Sequence, residues 1–115
     1  MQYLLTLYSD ESGWERMTPE QQKQGIAAYQ GYSEALKSAG VYVGSNRLRP
    51  SSTATTLRAT DGKTQVLDGP FVDSKEKLGG YYLIDVPDLD AALSWAGRCP
   101  GVQHGTVEVR AIWSM

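Results

Sequence analysis

The sequence predicts an α+β fold, an antiparallel sheet with two helices packed on one of its faces. Two observations carry this. Segments with helix-start signals, Thr18-Pro19-Glu20-Gln21 and Pro87-Asp88, each lie between short apolar runs of strand length. The order of elements then reads β, α, β, hairpin, β, α, β, which is the split βαβ, or ferredoxin-like βαββαβ plan, with an additional hairpin. A third observation concerns assembly. In QYLLTLY (2–8), Tyr3, Leu5 and Leu7 oppose Leu4 and Tyr8; in GYYLIDV (80–86), Tyr82, Ile84 and Val86 oppose Tyr81 and Leu83. A sheet solvated on one face alternates more cleanly with polar residues. Two helices cover only one face, so the other is expected to meet a second copy of the chain.

Taken in order, QYLLTLY is apolar, aromatic and too short for an ordinary helix, so it reads as a strand. The polar segment Ser9 to Met17, with Gly13 inside it, reads as a connection. Thr18 then caps a helix, Pro19 suits its first position and Gln21 completes a capping box. Gly25, Ala28, Tyr29, Tyr32, Ala35, Leu36 and Ala39 form its apolar face, and Gly40 ends it. VYVGSNRL, from Val41, is the second strand, interrupted by Pro50-Ser51-Ser52. TATTLRAT and TQVLD, joined by Asp61-Gly62-Lys63, form a hairpin, because Asp-Gly suits a turn that needs positive φ. GYYLIDV is the clearest strand. Asp88 caps the second helix, whose stripe is Leu89, Ala92, Leu93 and Ala96 and which Pro100-Gly101 closes. GTVEVRAIW (105–113) is the last strand.

Composition narrows the function classes. The 115 residues suit one domain, 1–115, with a single core. With 41% hydrophobic and 21% charged residues and a net charge of −2, the chain is an ordinary globular protein. It has no basic stripe for nucleic acid. The start, MQYLLTLYSDE, does not read as a signal peptide, and no run approaches a membrane span. One cysteine, Cys99, excludes an internal disulfide and fits a reducing compartment. A cytoplasmic protein is expected, with no nucleic acid or membrane partner. His104 is the sole histidine, and no metal-ligand spacing, phosphate loop or nucleophile elbow occurs. No metal or organic cofactor is expected.

The stretch LDGPFVDSKEKLGGYYLIDV (67–86) is the most distinctive. Asp68 ends a strand just before Gly69-Pro70. A carboxylate there can face a cleft and serve as general acid or base, or it can cap the N–H groups of its own turn. His104, just before the last strand, suits proton transfer near neutral pH, though a loop histidine is often only exposed. Arg47 can clamp an anionic substrate bidentately, as can Arg49 or Arg110. Lys75, in a short charged run, can reach an anionic ligand or remain solvated. Tyr29 and Tyr32 lie on the apolar helix face, as core residues or as substrate contacts, and Tyr81 can line a cleft. Trp14, Trp95 and Trp113 are read as packing or interface residues.

The run DGPFVDSKEKLGGYYLIDVPDLDAALSWAGRCP (68–100), followed by GTVEVRAI (105–112), resembles the DGPF branch of the YCII-related family. The motifs are D-G-P-F at 68–71, K-E at 75–76, G-G-Y-Y at 79–82, D-x-D-x-A-x-x-W-A at 88–96 and V-E-V-R at 107–110. MQYLLTLY and LKSAGVYVGSNRLRP fit the family's first half, so the resemblance spans nearly the whole chain. It implies a ferredoxin-like domain that dimerises through its sheets into an α/β barrel. Family functions are mostly unassigned, and some relatives are similar to lyases that remove chloride from chlorinated hydroxyquinols. The wider family is credited with a His-Asp pair whose histidine comes from the first helix. This chain has no histidine there; Tyr29 and Tyr32 stand in that region instead. Members of the DGPF branch also often accompany alternative sigma factors. The expectation is a small cofactor-free enzyme with lyase-like acid/base chemistry on an anionic or phenolic metabolite. Asp68 and His104 would be catalytic, and Tyr29, Tyr32, Arg47, Lys75 and Tyr81 would bind substrate. The alternative is a non-catalytic small-molecule-binding or regulatory module associated with sigma-factor systems.

Overall fold

In the computed structural model, which describes residues 1–114, a four-stranded sheet carries the helices and a separate two-stranded hairpin leaves its edge. The elements are β1 (Gln2–Ser9), α1 (Glu11–Glu15), α2 (Pro19–Ser38), β2 (Tyr42–Arg47), a 3₁₀ turn (Ser51–Thr53), β3 (Thr55–Thr60), β4 (Lys63–Asp68), β5 (Lys77–Asp85), α3 (Leu89–Gly97), α4 (Gly101–His104) and β6 (Thr106–Ala111). The sheet order is β2-β5-β1-β6, with every neighbouring pair antiparallel. That is the ferredoxin-like order, with β3–β4 inserted between the second and third sheet strands.

Local chemistry explains most boundaries. The Thr18 hydroxyl accepts from Gln21 N at 3.1 Å, and the Gln21 side chain accepts from Thr18 N at 2.9 Å, so both halves of the capping box form. Gly40, at φ 73°, turns the chain out of α2. The Asp88 carboxylate accepts from Ala91 N at 2.9 Å and starts α3. In the hairpin turn, Asp61 and Gly62 both have positive φ, 51° and 77°, the pairing a two-residue type I′ turn requires.

Three elements depart from expectation. The polar segment after β1 contains a short helix, α1. Asp10 caps it, accepting from Ser12 N at 3.0 Å and from Ser12 Oγ at 2.7 Å. Gly13 argues against a helix on propensity, but contacts made by Glu11 and Trp14, described below, hold this one in place. Pro100-Gly101 does more than close α3: it opens the single-turn α4. The apolar face of α2 is narrower than its spacing suggests, since Ala28 and Ala39 are exposed and only Tyr32 and Leu36 are buried.

Cross-strand pairs sort the sheet residues by face. Tyr3, Leu5 and Leu7 of β1 stand opposite Ile84, Tyr82 and Gly80 of β5 and Ala111, Val109 and Val107 of β6. These face the helices and form the core with Tyr32, Leu36, Ala92, Ala96 and Cys99. Leu4, Thr6 and Tyr8 alternate onto the outer face, beside Leu83 and Tyr81. No helix among the described residues covers that face. It is not purely apolar, because Glu108 and Arg110 stand across from Thr6 and Leu4. The Thr6 hydroxyl is buried there without a hydrogen-bond partner among the described residues.

The hairpin is the anomaly of the fold. Leu57 and Val66 face each other across it and are 62% and 65% exposed; Phe71, just beyond it, is 67% exposed. A two-stranded ribbon with nothing against it is marginal in water. The radius of gyration is 16.1 Å, against roughly 13 Å expected for a compact chain of this length. The molecule is flat, 48 × 45 × 18 Å, as though part of its packing lay outside one chain. No helix among the described residues is long and apolar enough to cross a membrane.

Candidate functional site

The best-furnished region lies on the helix face, where β2 ends beneath α1 and α2. Arg47 is the last residue of β2, paired across the sheet with Gly80. A Cβ on Gly80 would stand 2.8 Å from Asn46 O, so the two strands approach too closely for any larger residue. Gly80 is thus a packing requirement of the sheet, whereas a Cβ on Gly79 would meet only Leu7 O, at 3.9 Å. Arg47 extends over Trp14 of α1, its Cζ 4.7 Å from the ring centroid, a cation–π contact. Beyond Arg47 the chain leaves the sheet, and Arg47, Leu48, Arg49 and Pro50 line an open cleft of about 300 Å³. Two guanidinium groups in one cleft, with no carboxylate among its lining residues, favour an anion.

Three tyrosines cluster on the same helix face. Tyr32 donates to Trp95 O at 2.7 Å and packs edge-on against Tyr82, with centroids 5.1 Å apart. Tyr82 shares a 2.8 Å hydrogen bond with Ser33 Oγ. Tyr29 has no such partner among the described residues; its hydroxyl lies over Gly101, where a Cβ would come within 2.8 Å of it. Burial pushes the Tyr29 phenol up to about 12, and nearby Cys99 and Tyr82 add to this while the Arg47 charge opposes it. Burial also raises Tyr32 and Tyr82, and the Ser33 hydrogen bond partly offsets the rise at Tyr82. Tyr29 is therefore a neutral phenol at physiological pH, a hydrogen-bond donor and not a base.

These shifts make a testable statement about alkaline pH. Phenols raised in the fold favour the folded state fully below about 10, their ordinary value. That advantage is lost as pH rises from there to the folded value, about 12 for Tyr29. In a spectrophotometric titration, three of the seven tyrosines should ionise late, at or with unfolding. Seven indistinguishable titrations with the fold intact would contradict the packing described here.

The residues singled out in the sequence do not converge on one place. Tyr29, Tyr32 and Arg47 share the helix face. Tyr81 lies on the opposite, outer face, where its hydroxyl accepts from Asn46 Nδ2 at 2.8 Å. Lys75 is exposed in the loop before β5, near enough to Asp10 for its charge to help lower that carboxyl; the larger causes are the two Ser12 hydrogen bonds. His104 is the exposed last residue of α4. Asp68 is the exposed last residue of β4. The corner after Asp68 is held through Gly69: at φ 98°, its N–H donates to Ala54 O at 2.7 Å, and its carbonyl accepts from Thr56 Oγ1 at 2.8 Å. Glycine and the neighbouring strand thus account for the turn.

Sequence reading passed over α1. Trp14, expected as a packing or interface residue, carries the guanidinium that lines the cleft. The available signal was the Asp10-x-Ser12 cap, which starts a helix that a glycine otherwise obscures. A second depression, about 370 Å³, is lined by Met1, Ala111, Ile112, Trp113 and Ser114, and its side chains offer only apolar groups and one hydroxyl. Among the described residues, no group of three or more His, Cys, Asp or Glu side chains is placed to hold a metal ion.

Comparison with known proteins agrees with this architecture. An uncharacterised protein of Rhizobium meliloti (strain 1021) is 42% identical over 118 residues, spanning 97% of this chain and 92% of its own. The chain is also similar in structure to 5-chloro-2-hydroxyhydroquinone dehydrochlorinase from Burkholderia phenoliruptrix AC1100, solved in complex with 2,5-dihydroxybenzoquinone. The TM-score is 0.56 at 17% identity, covering 99% of this chain and 94% of that one, which speaks for the fold alone. The family model of the YCII-related domain matches residues 1–115, and the chain belongs to the YCII-related family.

Proposed function

We propose that the cleft at the end of β2 binds a small oxygenated ring carrying negative charge, and that the protein is a cofactor-free enzyme of lyase type acting on it. The observation that carries this is Arg47, which stacks on Trp14, lines the cleft and acts electrostatically on the Tyr29 phenol. An anionic ring oxygen would be held by Arg47 and Arg49, and Tyr29, neutral and without a hydrogen-bond partner among the described residues, would donate to a second oxygen. The structural relative is named for removing chloride from a hydroxylated ring and was solved with a dihydroxyquinone. A ligand of that class offers carbonyl oxygens that only accept and hydroxyl oxygens that accept as well as donate, so a site made of donors can hold it. In this reading Tyr29 replaces Asp68 as the principal proton donor. Asp68 and His104 would enter the chemistry only where a partner copy covers them.

A second reading, a binding or regulatory module without turnover, is favoured by one feature: the residues lining the cleft include no base. Titration with 2,5-dihydroxybenzoquinone, followed by tryptophan quenching, tests the cleft, and halide release from chlorinated hydroquinols separates the two readings. Saturable binding with halide release supports the enzyme; binding alone supports the module; no binding at millimolar probe removes both.

We further infer that the protein works as a homodimer in the cytoplasm, with a second copy on the outer sheet face. Among the described residues, nothing covers Leu4, Leu83 and Tyr81 there, the Thr6 hydroxyl has no hydrogen-bond partner, and Leu57 and Val66 of the hairpin stand exposed. Sedimentation at micromolar concentration should give twice the chain mass of 12.6 kDa, from an interface above ~1,000 Å² in total. A single species at the chain mass would remove the dimer.

A further inference from the structure

We propose that α1 is a brace that sets the shape of the cleft, and that Glu11 is its positioning residue. This rests on the cleft being the ligand site. Glu11 and Trp14 are three residues apart, so they project from the same side of the helix. Each grips one end of the same segment. Trp14 lies under Arg47, where the cleft-lining segment begins. The Glu11 carboxylate holds Ser51, immediately after that segment, accepting from Ser51 N at 2.7 Å and from Ser51 Oγ at 2.5 Å. Four residues, Arg47 to Pro50, are thereby suspended between two holds on one short helix.

The brace is itself anchored to the body of the protein. Gln22 Nε2 of α2 donates to Trp14 O at 3.0 Å, and the Trp14 ring lies 3.3 Å from where a Cβ of Gly25 would stand. Asp10 caps the helix from the other end. Glu11 therefore links α1 to a loop forty residues later in the chain, through a charge-assisted pair of hydrogen bonds. Leu48 N donates to Gly79 O at 2.8 Å, which fixes one point of the segment to the sheet. Arg49 and Pro50, beyond that point, depend on the Ser51 hold for their position. No other function of Glu11 is needed to explain a five-residue helix at a place where its sequence, with a central glycine, argues against one.

The test uses the full chain carrying Glu11→Ala, Glu11→Gln, Ser51→Ala or Ser51→Thr. The first readout needs no ligand. The Arg47 Nε–Hε resonance should be displaced by the Trp14 ring current in the natural protein, and should move toward the free-arginine position in Glu11→Ala and Ser51→Ala. Ser51→Thr keeps both donors and should restore it; Glu11→Gln, with one acceptor oxygen left, should fall between. The second readout is the dissociation constant for 2,5-dihydroxybenzoquinone, expected to weaken roughly 3- to 10-fold in Glu11→Ala, the scale of one or two net hydrogen bonds. The double variant Glu11→Ala/Ser51→Ala should be no worse than Glu11→Ala alone. A merely structural Glu11 would lower the melting temperature without moving the Arg47 resonance, and that result would overturn the proposal. Should the natural protein fail to bind the probe, the function proposed above falls, while the Arg47 resonance still decides whether α1 is a brace.

Discussion

Replacing Leu36 by alanine should remove about 2–5 kcal/mol of folding stability, the range for deleting a fully buried leucine side chain. The reason lies in how little of α2 is anchored. Over twenty residues, from Pro19 to Ser38, only Tyr32 and Leu36 are buried, one turn apart, and Leu36 is fully enclosed by the core. The loss includes both the transfer of the side chain and the cavity left between the helix and the sheet. A domain of this size has roughly 5–15 kcal/mol to lose, so the variant should melt some 10 °C or more below the natural protein. Leu36→Met conserves volume and should cost under about 1.5 kcal/mol. Chemical denaturation gives the values, and an unchanged m-value would show that the denatured state is not responsible. A loss below ~1 kcal/mol for Leu36→Ala would mean that α2 is held by something other than its core face. Leu57→Ala is the informative contrast, because Leu57 is 62% exposed within one chain. A large effect there would report a partner copy.

Residues whose signals are local were legible in the sequence. The Thr18–Gln21 capping box, the Asp61-Gly62 turn, the Asp88 cap and the alternation in β1 and β5 each depend on neighbours a few positions away, and each forms as expected. The βαββαβ order with its extra hairpin followed from them. α1 was not legible. A five-residue helix containing a glycine has no periodicity of its own, and Glu11 and Trp14 hold it by reaching residues more than thirty positions away. The candidate site shows the same division. Arg47 and Tyr29 could be nominated by residue type, and the fold brings both to the helix face. Tyr81 could be nominated equally well, yet alternation and register put it on the opposite side of the sheet. Residue type says what a side chain can do, and register decides what it can reach. Asp68 was singled out by its company with glycine, proline and phenylalanine. The structure accounts for the glycine through its φ of 98° and its two hydrogen bonds, and leaves the carboxylate at the exposed end of β4.

Arg47→Ala should weaken binding of 2,5-dihydroxybenzoquinone by roughly 10- to 150-fold, the equivalent of 1.5–3 kcal/mol for a hydrogen bond to a charged group. Among the described residues, the Arg47 guanidinium alone both lines the cleft and acts electrostatically on Tyr29. Its removal should also flatten the salt dependence of binding, since a charge facing the cleft has been deleted. Arg47→Lys keeps the charge but loses the planar fork and much of the stack on Trp14, so it should fall between the two. Tyr29→Phe deletes one donor that has no protein partner among the described residues, so no buried group is stranded in the free protein. Its stability should change by less than about 1 kcal/mol while affinity falls roughly 10-fold. Where turnover is found, the same variant should lose rate in addition, because a neutral phenol at that position is the only nearby group proposed to donate a proton. Asp68→Asn is the control that separates the two accounts of the chemistry. Asp68 lies on the exposed hairpin, outside the residues that line the cleft, so its affinity should stay within about 3-fold of the natural protein. A profound loss for Asp68→Asn with little change for Tyr29→Phe would reverse the assignment. It would mean that a partner's hairpin completes the site and that the carboxylate, not the phenol, moves the proton.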